Sequence, residues 1–523
     1  MTVCCPPENY DSIQTDGRRI YYTVGDSLRY VSVNGGDEGR LPLLPSIHSP
    51  AVLHISPDGS TLLLKEIMTA SGGTESPIWL VATDGGSARK LGDVEAHDAA
   101  WAPDGRTIAF AKDQDLYLTD LNGNTPVKLT STSGRAFWLR WLPDGGRLRF
   151  TLLDPKTLGS SLWELQADRR LRQLLKEWKG AGQLCCGVWT ADSKHFLFLN
   201  DLKEYWAIPD RPFPLSPLQP VLLSSVGLPI AAAATSPLEK VIFVAASARV
   251  ADVLSLNVKT GETTPLYPEL NPVRVTFSRD GKFVAYYLQD VMGGELWRAR
   301  ADGTDKLQLT PPSMRLFMAQ YSPDNKRIAF MARWPQQPWK IYRVASEGGA
   351  IHEIPSKVLN EADPNWSPDG QSILFGQPPN TFAEPGAIRA LYLYDFRTNK
   401  ISEIPNSKGL FSPRWSPDGR YVAAMTLDFK ALEFLNPQSG ERHTLIQHDV
   451  NNPFWSKDSN WVYFNGEELY RVRLTDSHLE RVPIRSSAIS QYSRVSANGF
   501  APDGSILLSC NDARRDVYAI EWN

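Results

Sequence analysis

The chain has 523 residues, of which 42% are hydrophobic and 22% are charged, and these values are typical of a globular protein with two or three domains. Its formal net charge is −3 and it contains no basic run, so nothing in it predicts direct binding of nucleic acid. No segment approaches the roughly 20 apolar residues of a membrane helix, so we expect no membrane insertion.

The amino terminus, MTVCCPPENY, has neither the basic start nor the apolar core of a secretory signal. As the sequence stands, this predicts a cytoplasmic location, whereas a fragment of a membrane-anchored protein would be periplasmic. The 5 cysteines include no C-x-x-C pair and no even-numbered framework, so we expect no disulfide scaffold.

One motif recurs along the whole chain: an aromatic residue, Ser-Pro-Asp-Gly, two variable residues and an apolar run. Clear copies are WAPDGRTIAF at Trp101 and WSPDGQSILF at Trp366, and the most degenerate copy is TSPLEKVIFV at Thr235. Neighbouring copies lie 40 to 49 residues apart, which is the length of a four-stranded propeller blade. The twelve copies begin at Ile13, Ile55, Trp101, Trp141, Trp189, Thr235, Phe277, Tyr321, Trp366, Trp415, Trp455 and Phe500.

Each copy predicts four antiparallel strands in chain order. The aromatic residue ends the first strand, and Pro-Asp-Gly forms the hairpin turn, in which Pro presets φ, Asp bonds its own backbone and Gly accepts a positive φ. In the third copy, the second strand runs through Ile108, the third begins at Leu116 and the fourth at Pro126. Apolar and polar residues alternate with period two. The predicted fold class is therefore all-β, as tandem β-propellers built from twelve four-stranded blades.

Twelve blades exceed the roughly four to eight of a single ring. Six plus six blades is favoured, with a first propeller at residues 1–269 and a second at 270–523. A division into five plus seven blades, within residues 209–229, is the alternative. The last copy ends after its third strand, VYAIEW from Val517, and an open edge is an aggregation hazard. We therefore expect a strand from elsewhere to close this edge, and residues 1–9 are one candidate donor.

The repeats resemble those of the TolB-like β-propellers, and the resemblance covers nearly the whole chain. Stretches such as AHDAAWAPDGRTIAFAKDQDLYL from Ala96 and GLFSPRWSPDGRYVAA from Gly409 are also similar to the repeat region of acidobacterial proteins in which a CadC-type winged-helix domain precedes a propeller. No winged helix or kinase domain is recognised in this chain. The resemblance implies a sensor-like module and supplies no catalytic residue.

Motifs that would indicate an enzyme were not found. The sequence has no G-x-S-x-G elbow, no H-E-x-x-H, no Walker loop and no dinucleotide fingerprint. We therefore expect no enzyme activity, no catalytic residue, no cofactor and no metal site. A non-enzymatic binding or sensing module is favoured, and the alternatives are a periplasmic envelope scaffold resembling TolB and a lyase or hydrolase acting in a propeller pore.

Three smaller features each have a structural and a functional interpretation. Cys185 and Cys186 are either two small buried side chains at a turn or a site for redox chemistry or a thiophilic metal. His97 and Asp98 are either a pair that fixes a loop or part of an acid–base site. The repeated turn aspartates are either structural or calcium ligands, and their separation onto individual hairpins favours the structural role.

The favoured ligand site is one mouth of the second propeller. There, loops between the second and third strands gather with loops that lead into the first strands. The longest loops run from Met331 and from Gly376, and their aromatic and arginine side chains suit a protein, peptide or glycan ligand. The alternative is that the aromatic side chains plug the ring. The predicted ligand-binding residues are Arg315, Arg333, Trp334, Trp339, Asp363, Arg414 and Asn451.

Overall fold

A computed structural model shows the fold of the chain. It describes residues 13–24, 27–43, 47, 50–66, 75–86, 88–157, 159–178, 183–200, 204–210, 218–225, 230–236, 241–270, 272–290, 293–312, 314–334, 337–378, 389–485, 489–490, 492 and 494–521. Among these residues there is no α-helix, and hence none that could cross a membrane. The prediction of an all-β fold is confirmed.

The part of the chain before residue 226 forms consecutive four-stranded antiparallel sheets, in which each strand pairs with the next one along the chain. Their strands are β1 (Gln14–Thr15), β2 (Arg19–Val24), β3 (Ser27–Ser32), β4 (Gly39–Leu41), β5 (Pro50–Ile55), β6 (Thr61–Glu66), β7 (Ser76–Ala82), β8 (Ala88–Ala96), β9 (Asp98–Trp101), β10 (Thr107–Lys112), β11 (Asp115–Asp120), β12 (Val127–Ser131), β13 (Arg135–Trp141), β14 (Leu148–Leu153), β15 (Ser160–Leu165), β16 (Leu171–Gln173), β17 (Leu184–Trp189), β18 (His195–Asn200), β19 (Glu204–Pro209) and β20 (Val221–Ser225).

The same four-strand pattern continues between residues 272 and 485, where a single residue pair also joins the first two sheets. The strands are β24 (Arg274–Phe277), β25 (Phe283–Asp290), β26 (Gly293–Arg300), β27 (Leu307–Gln308), β28 (Arg315–Tyr321), β29 (Arg327–Arg333), β30 (Lys340–Ala345), β31 (His352–Glu353), β32 (Ala362–Trp366), β33 (Ser372–Gly376), β34 (Tyr392–Asp395), β35 (Lys400–Glu403), β36 (Leu410–Trp415), β37 (Val422–Thr426), β38 (Ala431–Leu435), β39 (Arg442–Gln447), β40 (Asn451–Trp455), β41 (Trp461–Asn465), β42 (Leu469–Arg473) and β43 (Leu479–Arg481).

The remaining strands form one sheet that combines the middle of the chain with its end. They are β21 (Ile230–Thr235), β22 (Val241–Leu256), β23 (Thr263–Leu266), β44 (Arg494–Phe500) and β45 (Ile506–Glu521). Their order is β21-β22-β45-β44, and β23 pairs with β22. The sequence predicted a loop before VYAIEW, but β45 is one continuous strand of 16 residues. Strands β22 and β23 follow β45 in the sheet, and the predicted donor at residues 1–9 lies outside the described residues.

Backbone contacts divide the chain into two compact units. Residues Thr2–Ala248 and Arg515–Asn523 belong to the first unit, and residues Arg249–Arg514 belong to the second. In the first unit, the first strands of the sheets contact one another in the order β1, β5, β9, β13, β17 and β21, and β21 contacts β1 again. This closed circle of antiparallel sheets is the arrangement of a β-propeller.

The second unit has the same organisation. Its first strands contact one another in the order β24, β28, β32, β36, β40 and β44. Apolar side chains of the last sheet, including Ala501 and Leu507, pack with Val275 and Val284 of the first sheet. The fold is therefore all-β, as tandem β-propellers.

The hairpin turns adopt the predicted conformation. The Asp104 carboxylate accepts hydrogen bonds from the backbone N–H groups of Arg106, at 2.8 Å, and Thr107, at 3.0 Å. Gly105 follows it with φ of 66°. Hydrogen bonds from Ser56 and Ser60 lower the pKa of Asp58 in the second copy. The turn aspartates therefore have the structural role, since they fix the hairpins that hold the first strands in register.

Candidate functional site

In the second unit, successive first strands carry a β-bulge. The pairing register shifts between residues 317 and 320 in β28, 362 and 365 in β32, 411 and 414 in β36, and 451 and 454 in β40. Within these bulges, φ is 52° at Met318, 56° at Asp363, 54° at Ser412 and 46° at Asn452. A non-glycine residue adopts such a φ at a cost of about 1–2 kcal/mol, and backbone strain of this kind clusters at functional sites.

Asp363 connects two neighbouring first strands. Its carboxylate lies 2.9 Å from Nη2 of Arg414 and accepts a hydrogen bond from Oγ of Ser412. Only 2% of Asp363 and 5% of Arg414 are exposed to solvent. Arg414 also donates from Nη1 to the carbonyl of Pro413 at 2.9 Å. The ion pair is therefore desolvated, and removal of either partner would leave a buried charge without compensation.

Arg274, at the start of β24, is a second cation close to this ion pair. Its Nη1 donates to Sδ of Met318 at 2.9 Å, and a thioether is a weak acceptor. Among the described residues, no carboxylate forms an ion pair with Arg274, whereas Asp363 and Arg414 act on it through space. Burial lowers the pKa of its guanidinium, although the residue keeps some accessible surface. Below, "inner-strand cluster" means Arg274, Met318, Asp363, Ser412 and Arg414.

Aromatic rings connect the inner-strand cluster to residues predicted from the sequence. Tyr287 lies opposite Arg274 in the β24–β25 pair, and burial raises the pKa of its phenol. The ring of Phe317 lies 6.2 Å from that of Tyr287 and 5.6 Å from that of Trp339. Cζ of Arg333 lies 4.9 Å from the centroid of Trp339, in cation–π range. Two residues predicted from the sequence, Trp339 and Arg333, therefore contact Tyr287 indirectly, through the ring of Phe317.

The predicted ligand-binding residues differ in exposure. Trp334 is 38% exposed and Asn451 is also exposed. Trp339 is fully buried, which contradicts the expectation that it offers flat surface to a ligand. Four others are buried as well: Arg315, Arg333, Asp363 and Arg414.

Five of the seven predicted residues lie on strands, although the sequence placed several of them in loops, whereas Trp334 and Trp339 lie between β29 and β30. Arg315 is the first residue of β28 and is paired in register with Arg333 of β29. Asp363 and Arg414 lie within β32 and β36. Most of the predicted long loop from Gly376 lies outside the described residues. The structure therefore joins Asp363 to Arg414 across two neighbouring first strands and places Arg333 against Trp339.

Sequence reasoning missed Arg274, Met318 and Ser412, although one signal marks them. Each of these residues lies three positions before the aromatic residue of its motif copy, as does Asp363. We call this the minus-three position. It falls in the bulge of the first strand in four sheets of the second unit. An alignment of the twelve copies on the aromatic residue would have selected it.

The first unit has a different group of charged residues around His97. Nε2 of His97 lies 2.9 Å from the carbonyl of Ala136, so the proton on Nε2 is donated to that oxygen. Nδ1 lies 2.9 Å from Glu75 and 2.8 Å from Nη2 of Arg135. Burial lowers the pKa of His97 to about 4, against the opposing effect of Glu75. Both nitrogens hold the structure together, as the structural interpretation of His97 predicts.

Asp98 is bonded to the next sheet and not to His97. It is 2% exposed, and its carboxylate accepts a hydrogen bond from the backbone N–H of Trp138. Burial raises its pKa to about 6, against the opposing effect of Arg140 and Lys65. The sequence named His97 and Asp98 as a pair, but each residue fixes its own contact with β13.

A disulfide joins Cys185 to Cys186 within β17. Both residues are buried, as the structural interpretation predicts, but they lie in a strand and not in a loop. Cys186 occupies the minus-three position with φ of 60°. Among the described residues, no group of three or more His, Cys, Asp or Glu side chains could hold a metal ion.

The chain was compared with known proteins. No family model matches the sequence. Over 111 residues it is 25% identical to the uncharacterized peptidase YuxL of Bacillus subtilis, a match that covers 20% of this chain and 17% of that protein. The chain therefore spans less than a fifth of the length of this curated relative.

Two solved structures are similar to parts of the chain. A TolB from Agrobacterium tumefaciens shares 15% identity and a TM-score of 0.40, over 51% of this chain and 99% of that one. The tricorn protease shares 11% identity and a TM-score of 0.36, over 92% of this chain and 63% of that one. The propeller assignment rests on the cyclic strand contacts described above.

Proposed function

We propose that the chain is a TolB-like propeller module, with six blades in each unit, that binds a protein, peptide or glycan ligand without chemically changing it. In this proposal the second unit holds the ligand. The resemblance of the repeats to the propeller part of CadC-type winged-helix proteins suggests that the module is the sensor part of a signalling or transcription regulator.

The inner-strand cluster supports this proposal. Three neighbouring sheets contribute a strained minus-three residue to the cluster, namely Met318, Asp363 and Ser412. Every member of the cluster except Met318 is polar or charged. Such a group on rigid strands is positioned in advance, which lowers the entropy lost on binding. Strand positions also hold side chains more accurately than loops do.

The experiment compares binding by the wild type with binding by two variants. Purified chain would be applied to a combinatorial peptide library and to a glycan array. Asp363→Asn removes the central carboxylate, and Asp305→Asn is a matched control because Asp305 is half exposed and lies outside the cluster. We expect the wild type and the control to bind the same ligand, and Asp363→Asn to bind it at least about tenfold more weakly, equivalent to roughly 1.4 kcal/mol.

The recovered ligand decides between this function and its alternatives. A ligand of unchanged mass supports a binding module, whereas a cleaved ligand would indicate a lyase or hydrolase acting in the pore. Equal binding by Asp363→Asn and the wild type would remove the inner-strand cluster from the proposal. Binding restricted to peptides whose sequences match envelope proteins would favour a periplasmic scaffold resembling TolB.

A further inference from the structure

Arg274 is the member of the inner-strand cluster whose charge is least compensated. Its guanidinium carries five N–H donors, and the described contacts are to Sδ of Met318 and to the phenol of Tyr287. Arg414, in contrast, is held by the carboxylate of Asp363 at 2.9 Å. The cluster therefore contains two guanidinium groups and one carboxylate, and the guanidinium of Arg274 has no anionic contact among the described residues.

An arginine with spare donors in a desolvated setting is suited to an anion. Its planar fork matches the two oxygens of a carboxylate, and charge-assisted bonds of this kind are stronger than neutral ones. The single excess charge matches a monoanion, whereas the nearby carboxylate of Asp363 would repel the second charge of a phosphate dianion.

The neighbours of Arg274 favour a carboxylate attached to aliphatic carbon atoms over the carboxylate of a sugar acid. Met318 places a thioether beside the guanidinium, and Tyr287 places an aromatic ring across the β24–β25 pair. These groups pack well against aliphatic carbon atoms. A sugar acid carries several hydroxyl groups, each of which would need a polar partner at the same place.

We propose that Arg274 is the receptor for a carboxylate of a peptide ligand, either its carboxyl terminus or an acidic side chain. This inference rests on the proposed binding function and specifies the ligand group that the second unit recognises. Arg414 and Asp363 position the site by holding the adjacent first strands together. Arg274 itself supplies the two N–H groups that the carboxylate accepts.

The test uses small probes and measures affinity by calorimetry. N-acetyl-alanine carries the carboxylate, and N-acetyl-alaninamide is the matched neutral probe. Glucuronate and inorganic phosphate represent the sugar-acid and dianion alternatives. We expect N-acetyl-alanine to bind the wild type and the amide not to bind. Arg274→Gln should weaken the binding of N-acetyl-alanine by roughly 10- to 100-fold, because a charged hydrogen-bonding pair is lost.

Two further variants guard against misfolding. Arg300→Gln, at an arginine that is 60% exposed in the same unit, should bind like the wild type. Arg274→Lys keeps the charge without the fork and should fall between the wild type and Arg274→Gln. Thermal unfolding without probe should show that all three variants are folded, since Arg274→Gln removes a cation that contacts no carboxylate among the described residues.

Each outcome supports or overturns the inference. No binding of N-acetyl-alanine to the wild type, equal binding of the amide, or equal binding by Arg274→Gln would overturn it, as would a preference for glucuronate or phosphate. Carboxylate binding that depends on Arg274, together with empty peptide and glycan screens, would support this inference while the proposed function fails. A peptide ligand whose binding ignores Arg274 would show the reverse.

Discussion

The two units share a strained β-bulge at several minus-three positions, such as Trp138 and Asp363, and the side chains at these positions differ between the units. In the second unit, the minus-three positions carry Arg274, Met318, Asp363, Ser412, Asn452 and Ala497. In the first unit, they carry Tyr10, Val52, Asp98, Trp138, Cys186 and Ala232. The positions are mostly polar in the second unit and mostly apolar in the first. A repeat thus fixes where a side chain is presented, and the residue at that position decides what it can bind.

The units also differ in how they compensate buried charge. In the first unit, Glu164 accepts hydrogen bonds from Arg149 and Arg172, each at 2.9 Å. Arg149 donates a further bond to Asp210 at 2.9 Å, and its Cζ lies 4.3 Å from the ring centroid of Trp189. Each arginine of this group contacts a carboxylate. In the second unit, Arg274 is next to a compensated pair but contacts no described carboxylate, which distinguishes a stabilising network from a candidate binding site.

The largest effect is expected when the first unit loses its charge compensation. Glu164→Ala removes a side chain with 0% exposure and leaves Arg149 with one acidic partner in place of two. We expect the free energy of unfolding to fall by about 3 kcal/mol, because breaking a buried ion pair leaves a charge without solvation. Urea unfolding followed by tryptophan fluorescence measures this change.

Glu177→Ala is the control for this prediction. Glu177 is an exposed residue of the same unit, and substitutions at exposed positions usually change stability little. We expect the control to unfold within about 0.5 kcal/mol of the wild type. An unchanged midpoint for Glu164→Ala would show that the network contributes no more than a surface pair. In that case, the ion pairs of Arg149 would not stabilise the first unit, and the difference between Arg149 and Arg274 would have no energetic consequence.

A second prediction concerns Asp98, which is the charged residue among the mostly apolar minus-three residues of the first unit. Burial raises the pKa of Asp98 from 3.8 to about 6. Folding therefore favours its protonated form, so its contribution to stability is complete below pH 4 and declines as the pH rises to about 6. Asp98→Asn imitates the protonated form and can still accept the N–H of Trp138. We expect the variant to be more stable than the wild type at pH 7, by up to about 3 kcal/mol.

The measurement is the difference in unfolding free energy between Asp98→Asn and the wild type from pH 4 to pH 7. Burial lowers the pKa of His54 to about 3 and that of His97 to about 4, so both histidines make the unit less stable as the pH falls. That effect is common to both proteins and cancels in the difference. Asp93→Asn, at an exposed position of the same unit, is the control substitution. A difference that does not grow with pH would mean that Asp98 is ionised in the fold without penalty.

The periodic features of this fold could be predicted from the sequence. Turn chemistry is local, so Asp104 and Gly105 identify a hairpin without any knowledge of distant residues. The aromatic residue and the apolar run then place the first and second strands, as for Trp101 in β9 and Ile108 in β10. The repeat also predicted that the last copy needs one strand from elsewhere, whereas two strands, β22 and β23, follow β45 in the sheet. The sequence did not identify them, because pairing partners far apart in sequence leave no local signal.

The candidate site could be predicted only in part, for a similar reason. Arg414 and Asp363 were predicted in loops that lead into the first strands, but they lie within those strands, and their burial depends on side chains from neighbouring sheets. Trp339 was expected on the surface because it follows a long loop, whereas Phe317 and Arg333 enclose it. Arg274 precedes the copy of the motif that begins at Phe277, and its importance follows from the absence of a carboxylate contact among the described residues. Such a property is visible only in three dimensions.

The smallest effect on stability is expected at two hairpin turns, one in each unit, that differ in a single hydrogen bond. Most copies of the motif have glycine after the turn aspartate, but Ser193 and Ser459 occupy this position, each with φ of 60°. In the described structure, the Ser193 hydroxyl has no hydrogen-bond partner, whereas that of Ser459 accepts the N–H of Asp418 at 3.2 Å. Ser193→Gly should therefore raise the free energy of unfolding by about 1 kcal/mol, because glycine adopts a positive φ without steric strain.

Ser459→Gly is the matched variant in the second unit. It relieves the same strain but loses the bond to Asp418, and a hydrogen bond contributes about 1 kcal/mol, so we expect little net change. Thermal unfolding of both variants under one buffer condition measures the two effects side by side. A loss of stability in Ser193→Gly would mean that the serine conformation is favoured by a contact of the folded state. Equal gains in both variants would mean that the Asp418 contact contributes nothing, and the turns of the two units would then be energetically equivalent.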